Sequence, residues 1–155
     1  MLKVYNYDIT FQEVPEETSL ILNISNCPYH CPDCHSKFLW EDIGESINIV
    51  LEDLLNKYKT LITCVCFMGG NQEPQCLIQS LTTVQKYNIK TCLYSGCDNL
   101  EELTIFFPYL DYLKYGSYKK DLGGLNCTTT NQHFLVKLDN QWQDCTYKFQ
   151  KRKNL

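Results

Sequence analysis

The chain has no apolar run long enough to cross a bilayer, no apolar stretch of a secretory leader in its opening Met1-Leu2-Lys3-Val4-Tyr5-Asn6-Tyr7-Asp8, and no basic excess. Fourteen Lys and Arg stand against eighteen Asp and Glu, a net charge of −4. These absences argue against a membrane-spanning or exported protein and against a binder of nucleic acid or anionic membranes. The cytoplasm is the expected setting. With three histidines there is no Ser/His/Asp arrangement to infer, and no G-x4-G-K-[ST] phosphate loop is present. Linkers, internal repeats and low-complexity blocks are also missing, so residues 1–155 read as one domain, with the last fifteen or so a less regular tail. Such a length buries a core without disulfides as a substitute.

Cysteine, by contrast, is plentiful, with ten in the chain. Without an export signal a disulfide framework is not supported, because thiols stay reduced in the cytosol. Three of them stand in Cys27-Pro28-Tyr29-His30-Cys31-Pro32-Asp33-Cys34, spaced C-x3-C-x2-C directly after the apolar segment Ser19 to Ser25. Thiolates are the soft ligands favoured by iron–sulfur clusters. A four-iron cubane held by three cysteines keeps one iron open, whereas an electron-transfer ferredoxin or a structural zinc site uses four protein ligands. His30 and His35 flank the run and invite a Cys3His zinc reading, but Cys34 and His35 are adjacent and would have difficulty meeting one tetrahedral ion. Cys64 and Cys66 share one face of a strand as small buried hydrophobes, and Cys76, Cys92 and Cys97 take the same packing reading. Cys127 and Cys145 lie in a polar tail with no ligand spacing to recommend them as a second site.

Apolar runs alternate with segments of helical period, which argues for βα units on a mainly parallel sheet. Strands are expected at 19–24, 61–68, 90–94 and 109–115, and an extended alternation at 134–138. Helices are expected at 48–58, at 75–87 behind Pro74, and over 99–107. Residues 148–153 read as a solvated basic tail. Four or five strands are too few for the eight-stranded barrel, so the expected architecture is α/β, an open or partial (βα) barrel of mainly parallel strands. In such folds ligands gather at the carboxyl ends of the strands. The cysteine loop, Gly69-Gly70, Tyr94-Ser95-Gly96 and Lys114 all fall at such ends.

The C-x3-C-x2-C spacing resembles that of the radical S-adenosylmethionine (radical SAM) enzymes. The resemblance narrows to the activating proteins of the anaerobic (class III) ribonucleoside-triphosphate reductase through several blocks. These are Phe11-Gln12-Glu13-Val14-Pro15, Cys34-His35-Ser36, Leu39-Trp40-Glu41-Asp42-Ile43-Gly44, Cys66-Phe67-Met68-Gly69-Gly70, and Asp111 to Tyr118 with Asn131-Gln132. It implies that Cys27, Cys31 and Cys34 hold a [4Fe-4S] cluster and that S-adenosylmethionine chelates the open iron. Reductive cleavage would then give a 5′-deoxyadenosyl radical, which takes a hydrogen atom from a glycine in the large reductase subunit. The implied partners are that subunit and an electron donor of the flavodoxin-like kind; the implied class is an oxidoreductase activase.

The same resemblance implies roles at the other strand ends. Met68, Gly69 and Gly70 would hold the ligand's amino group, Lys114 its carboxylate, and Tyr94, Ser95 and Gly96 its ribose or methionine part. Two departures stand out. Asn71 and Gln72 intervene before Glu73 in the glycine motif, and Asp33 occupies the place of an aromatic that packs on adenine, a role left to Tyr29 or to backbone. Trp40 and Phe38 read as packing residues. Two other readings remain, an activase of another glycyl radical enzyme such as a formate-lyase type, and a zinc-binding interaction module.

Overall fold

A computed structural model describes residues 1–150. Eight strands form one sheet: β1 (Lys3–Thr10), β2 (Ser19–Ile24), β3 (Glu45–Ser46), β4 (Cys64–Met68), β5 (Lys90–Tyr94), β6 (Tyr112–Tyr115), β7 (His133–Leu138) and β8 (Gln141–Asp144). Their order is β3-β1-β2-β4-β5-β6-β7-β8. The centre, β2-β4-β5-β6, is parallel. The flanking pairings, β3-β1 and β1-β2 on one side and β6-β7 and β7-β8 on the other, are antiparallel.

The α/β class agrees with the sequence reading, but the expected four or five mainly parallel strands do not. Four of the seven pairings are antiparallel, and β1, β3 and β8 add to the expected set. Two local causes explain β1 and β8. Residues Tyr5 to Asp8 of β1 are exposed, so the strand shows no buried alternation from which to read it. At the other end, Asp139 and Asn140 both adopt positive φ, 50° and 62°, the backbone of a two-residue hairpin turn that folds β8 back on β7.

Helix α1 (Ile47–Tyr58) starts at Ser46, whose hydroxyl accepts from the Asn48 N–H at 3.3 Å, and α2 (Pro74–Lys86) starts on Pro74. The segment Leu100–Tyr109 is 3₁₀-helical, with Asn99 capping the Glu101 N–H at 3.1 Å. These three elements bury Leu51, Leu55, Leu77, Leu81, Leu103 and Phe106 against one face of the sheet, where Leu20, Leu22, Val65, Phe67, Leu93 and Leu113 wait. Burial of a leucine-sized side chain contributes about 1.5–3 kcal/mol, so this layer carries most of the stabilisation. Neither α-helix is long and apolar enough to cross a membrane, and no other helix among the described residues is.

On the opposite face Ile21, Cys64, Cys66, Cys92, Tyr112, Phe134 and Val136 form a second, sulfur-rich core with Val14 and Cys145. The packing reading of Cys64, Cys66 and Cys92 therefore agrees with their full burial. Within the expected solvated tail Lys148 is exposed, as expected, while Phe149 is half-buried. Phe149 packs on Phe134 at 4.8 Å between ring centroids, and Lys148 lies 3.6 Å from Glu16. Positions 151–153 of that expectation lie outside the described residues.

Beneath this core Glu17 is 8% exposed and accepts from Lys90 Nζ at 2.9 Å and from the Tyr112 hydroxyl at 2.8 Å. Burial pushes its carboxyl up, but the hydrogen bonds from Thr63, Lys90 and Tyr112 outweigh that and hold it below the ordinary value of 4.5. A lowered folded-state value means this stabilisation is present above the unfolded-state value and drains as pH falls through the folded one. Glu17→Gln is expected to destabilise the fold by about 1–3 kcal/mol at pH 7. The variant's stability should also fall less steeply below about pH 4.5, as read by urea titrations across pH.

Candidate functional site

Strand register assembles the site. Asn6 lies opposite Asn23, Asn23 beside Met68, Met68 beside Tyr94, Tyr94 beside Lys114 and Lys114 opposite Phe134. Residues in register across a sheet project to the same face. Six strands thus deliver one transverse row at the carboxyl ends of the parallel centre. Above it opens a cavity of about 640 Å³ whose wall includes Asn23, Met68, Tyr94 and Lys114 from this row, together with Cys27, Cys31 and Cys34. That volume suits a ligand of drug-like size.

The cysteine loop leaves β2 and is tied down by backbone bonds. Asn26 N–H donates to Glu41 O and Cys27 N–H to Leu39 O, both at 2.9 Å. Asn26 and His30 take positive φ, 60° and 43°, which curls the chain around the cavity rim. The three thiols are half-buried and free. Burial pushes the Cys27 thiol up, the Tyr29 and His30 backbone N–H groups oppose this, and the neighbouring Cys31 and Cys34 reinforce it. Ser36 N–H donates to Cys34 Sγ at 3.3 Å. Amide donors aimed at sulfur tune iron–sulfur ligands and support the thiolate form.

Three thiols on one loop are a donor set of the kind a [4Fe-4S] cluster uses. Among the described residues no three His, Cys, Asp or Glu side chains converge as ligands of one metal ion. A cubane binds each thiolate to a different iron, so its ligands need not converge. His35 lies on the cavity wall in contact with Tyr118, and His30 stacks on Trp40 at 4.5 Å between ring centroids. Beside the loop, the buried Trp40 Nε1–H has no acceptor. Of the two aromatics expected to pack, Trp40 is half-buried on the cavity wall, whereas Phe38 is 45% exposed against Tyr5; Leu39 between them takes the buried place.

Lys114 is the one Lys or Arg on the cavity wall and has no carboxylate partner among the described residues. Its ammonium sits 5.6 Å from the Tyr94 ring centroid. Burial pulls its pKa down to about 8, against the opposing pull of the Cys31, Cys66, Cys92 and Cys34 thiols. Glu13, from the turn between β1 and β2, is the one carboxylate on the wall among the described residues, and burial raises its pKa.

Met68 and Gly69 line the cavity, and Gly69 takes φ +102°. Gly70 does not line it. Its φ is +115°, and a Cβ there would meet Leu2 and Leu77 at 3.2 and 3.4 Å, so this glycine serves the turn and core packing. At the end of β5 the roles also shift. The Tyr94 hydroxyl donates to the Glu13 carbonyl, and Ser95 Oγ donates to Asn71 Oδ1 at 3.0 Å while accepting from Cys97 N–H at 3.1 Å. A Cβ on Gly96 would stand 2.9 Å from Tyr29 Cδ2, so the Tyr29 ring lies directly on that glycine. These side chains are committed to the protein and leave ring faces and backbone for a ligand. Tyr29 is likewise a tie between loops rather than a free platform, and Asp33 is exposed, away from the cavity wall.

Asn23, Glu13, Asn71 and Gln72 join the wall without having been assigned a role from sequence. For Asn23 a signal existed: a polar residue in the otherwise apolar run Ser19-Leu20-Ile21-Leu22-Asn23-Ile24.

Compared with known proteins, the chain matches no protein-family model, no curated protein and no solved structure.

Proposed function

We propose that this chain is a radical S-adenosylmethionine activase that installs a glycyl radical on the large subunit of an anaerobic ribonucleoside-triphosphate reductase. The observation that carries the reading is the meeting, on one cavity wall, of three free thiols at C-x3-C-x2-C spacing and a lysine with no carboxylate partner among the described residues. In this reading the four parallel strands are the core of a partial (βα) barrel of radical SAM type, and the site lies at their carboxyl ends. A [4Fe-4S] cluster held by Cys27, Cys31 and Cys34, when bound, supplies the electron for reductive cleavage of S-adenosylmethionine and thereby hydrogen-atom abstraction from the target glycine.

The chain's own residues bind, orient and exclude water. Amide N–H groups of Tyr29, His30 and Ser36 stabilise negative charge on Cys27 and Cys34. Lys114 offers a point charge to the ligand's carboxylate, and its walled-in position strengthens that attraction. Gly69, with no side chain, lets the end of β4 approach the ligand closely. Leu39, Trp40, Leu125 and Phe149 give the cavity apolar walls that keep water from a reactive centre. A flavodoxin-like protein is the proposed electron donor.

The test is anaerobic purification and reconstitution with iron and sulfide, followed by reduction with S-adenosylmethionine and the reductase large subunit. Stoichiometric iron and sulfide, release of 5′-deoxyadenosine and a glycyl signal in electron paramagnetic resonance are expected. A glycyl signal on a formate-lyase type enzyme and not on the reductase would move the assignment to that partner. Stoichiometric zinc with no iron uptake would replace it with the zinc module.

A further inference from the structure

Two amide side chains interrupt the glycine motif before its acidic residue, and their contacts run between loops far apart in sequence. Asn71 Nδ2 donates to the Tyr29 hydroxyl at 2.5 Å, inside the cysteine loop, and Asn71 Oδ1 accepts from Ser95 Oγ at 3.0 Å, at the end of β5. Gln72 Nε2 donates to the carbonyls of Ser25 and Asn26 at 3.2 Å each, the two residues just before Cys27. Gln72 Oε1 in turn accepts from Gly70 N–H at 3.1 Å. Both amides line the cavity. Glu73, the acidic residue of the motif, is turned elsewhere: it accepts from the Met1 amine and lines a separate surface groove with Asn48 and Gln79.

We infer that Asn71 and Gln72 are positioning residues that clamp the glycine loop after β4 to the cysteine loop after β2 and to the β5 loop, and that Glu73 takes no part in the site. The chemistry of the amide suits this work. Each primary amide carries donors and an acceptor on one planar group, so one side chain satisfies backbone and hydroxyl partners on opposite sides. A carboxylate at either position offers acceptors only, and facing the Ser25 and Asn26 carbonyls it would repel them. Gly96 completes the clamp by admitting the Tyr29 ring, whose hydroxyl reaches Asn71. Movement of the glycine loop is thereby transmitted to the loop that carries all three thiols. The geometry of the clamp stands by itself, while its consequence for cluster retention rests on the function proposed above.

Two measurements on the full chain test this and separate the two ideas. Hydrogen exchange of the metal-free protein should show faster exchange over residues 26–34 and 95–97 in Asn71→Ala and Gln72→Ala, with α1 and α2 unchanged. Glu73→Gln should match the wild type. Unchanged exchange over 26–34 in both amide variants, or an equal change in Glu73→Gln, overturns the clamp whatever the protein binds. In the iron-loaded protein, release of iron to a chelator should quicken by about tenfold in Asn71→Ala, the lower end of what outer-shell partners of metal ligands contribute. Tyr29→Phe should give a similar acceleration, and the double variant no more than either single one. Additive effects would mean that the two residues act separately and would overturn the tie between them. If the wild type takes up no iron, the functional proposal fails while the exchange result still decides the clamp.

Discussion

Serine in place of Cys27, Cys31 or Cys34, one at a time, is expected to abolish 5′-deoxyadenosine formation and to prevent retention of a full [4Fe-4S] cluster after anaerobic reconstitution. Outer-shell partners of metal ligands are worth about 10–100-fold in affinity or activity, so a ligand itself should cost more than that. The three positions should behave alike despite their different surroundings. Cys27 is held by Tyr29 and His30 amides and Cys34 by the Ser36 amide, but each thiolate would bind its own iron, and two ligands leave a second iron uncovered. Cysteines elsewhere provide the contrast. Cys64→Ala and Cys92→Ala alter buried packing on the sheet and should lower thermal stability while leaving iron content intact. Iron and sulfide analysis beside product chromatography reads both. Full cleavage activity in all three loop variants would defeat the cluster assignment.

How much of this was legible before the structure follows from which interactions are local. The central strands and both α-helices could be read because Leu51, Leu54, Leu55, Leu77, Leu81 and Val84 bury one face at helical spacing, because β4 is a continuous apolar run, and because β5 carries Cys92-Leu93-Tyr94. Leu61 opens an apolar run that reads as strand, yet it is 63% exposed, because its N–H continues the turn after α1 by bonding Tyr58 O at 2.8 Å. β1 escaped because its polar positions Asn6 and Asp8 and its tyrosines are exposed on both faces. β8 could have been found from Asp139-Asn140, a turn pair that tolerates positive φ. The strand-end location of the site was likewise readable, since it follows from parallel order alone. The fine division of labour was not. Whether Glu73 or Asn71 faces the cavity depends on hydrogen bonds between residues more than forty positions apart, and whether Gly70 faces a ligand or Leu77 depends on how its turn packs against Leu2. No local pattern encodes those bonds.

Lys114→Met is expected to weaken S-adenosylmethionine binding by about 30-fold or more, the cost of about 2–5 kcal/mol attached to truncating one partner of a desolvated charge pair. Cluster content should stay as in the wild type, since Lys114 is not a ligand. The same substitution should leave the metal-free protein as stable as before or more stable, by about 1 kcal/mol, because a walled-in ammonium without a counter-ion costs desolvation that methionine does not. The Tyr94 ring at 5.6 Å offsets part of that cost, worth about 0.5–2 kcal/mol, which keeps the expected gain small. Opposite signs are the diagnostic. A lysine kept for the fold loses stability on replacement and leaves affinity alone; one kept for an anionic ligand does the reverse. Equilibrium binding to the reconstituted protein and urea unfolding of the metal-free chain measure the two quantities separately. Loss of stability with unchanged affinity would make Lys114 a structural residue. The Tyr94–Lys114 step of the transverse row would then serve packing, and the ligand's carboxylate would have to be sought on the backbone amides at the ends of β4 and β5.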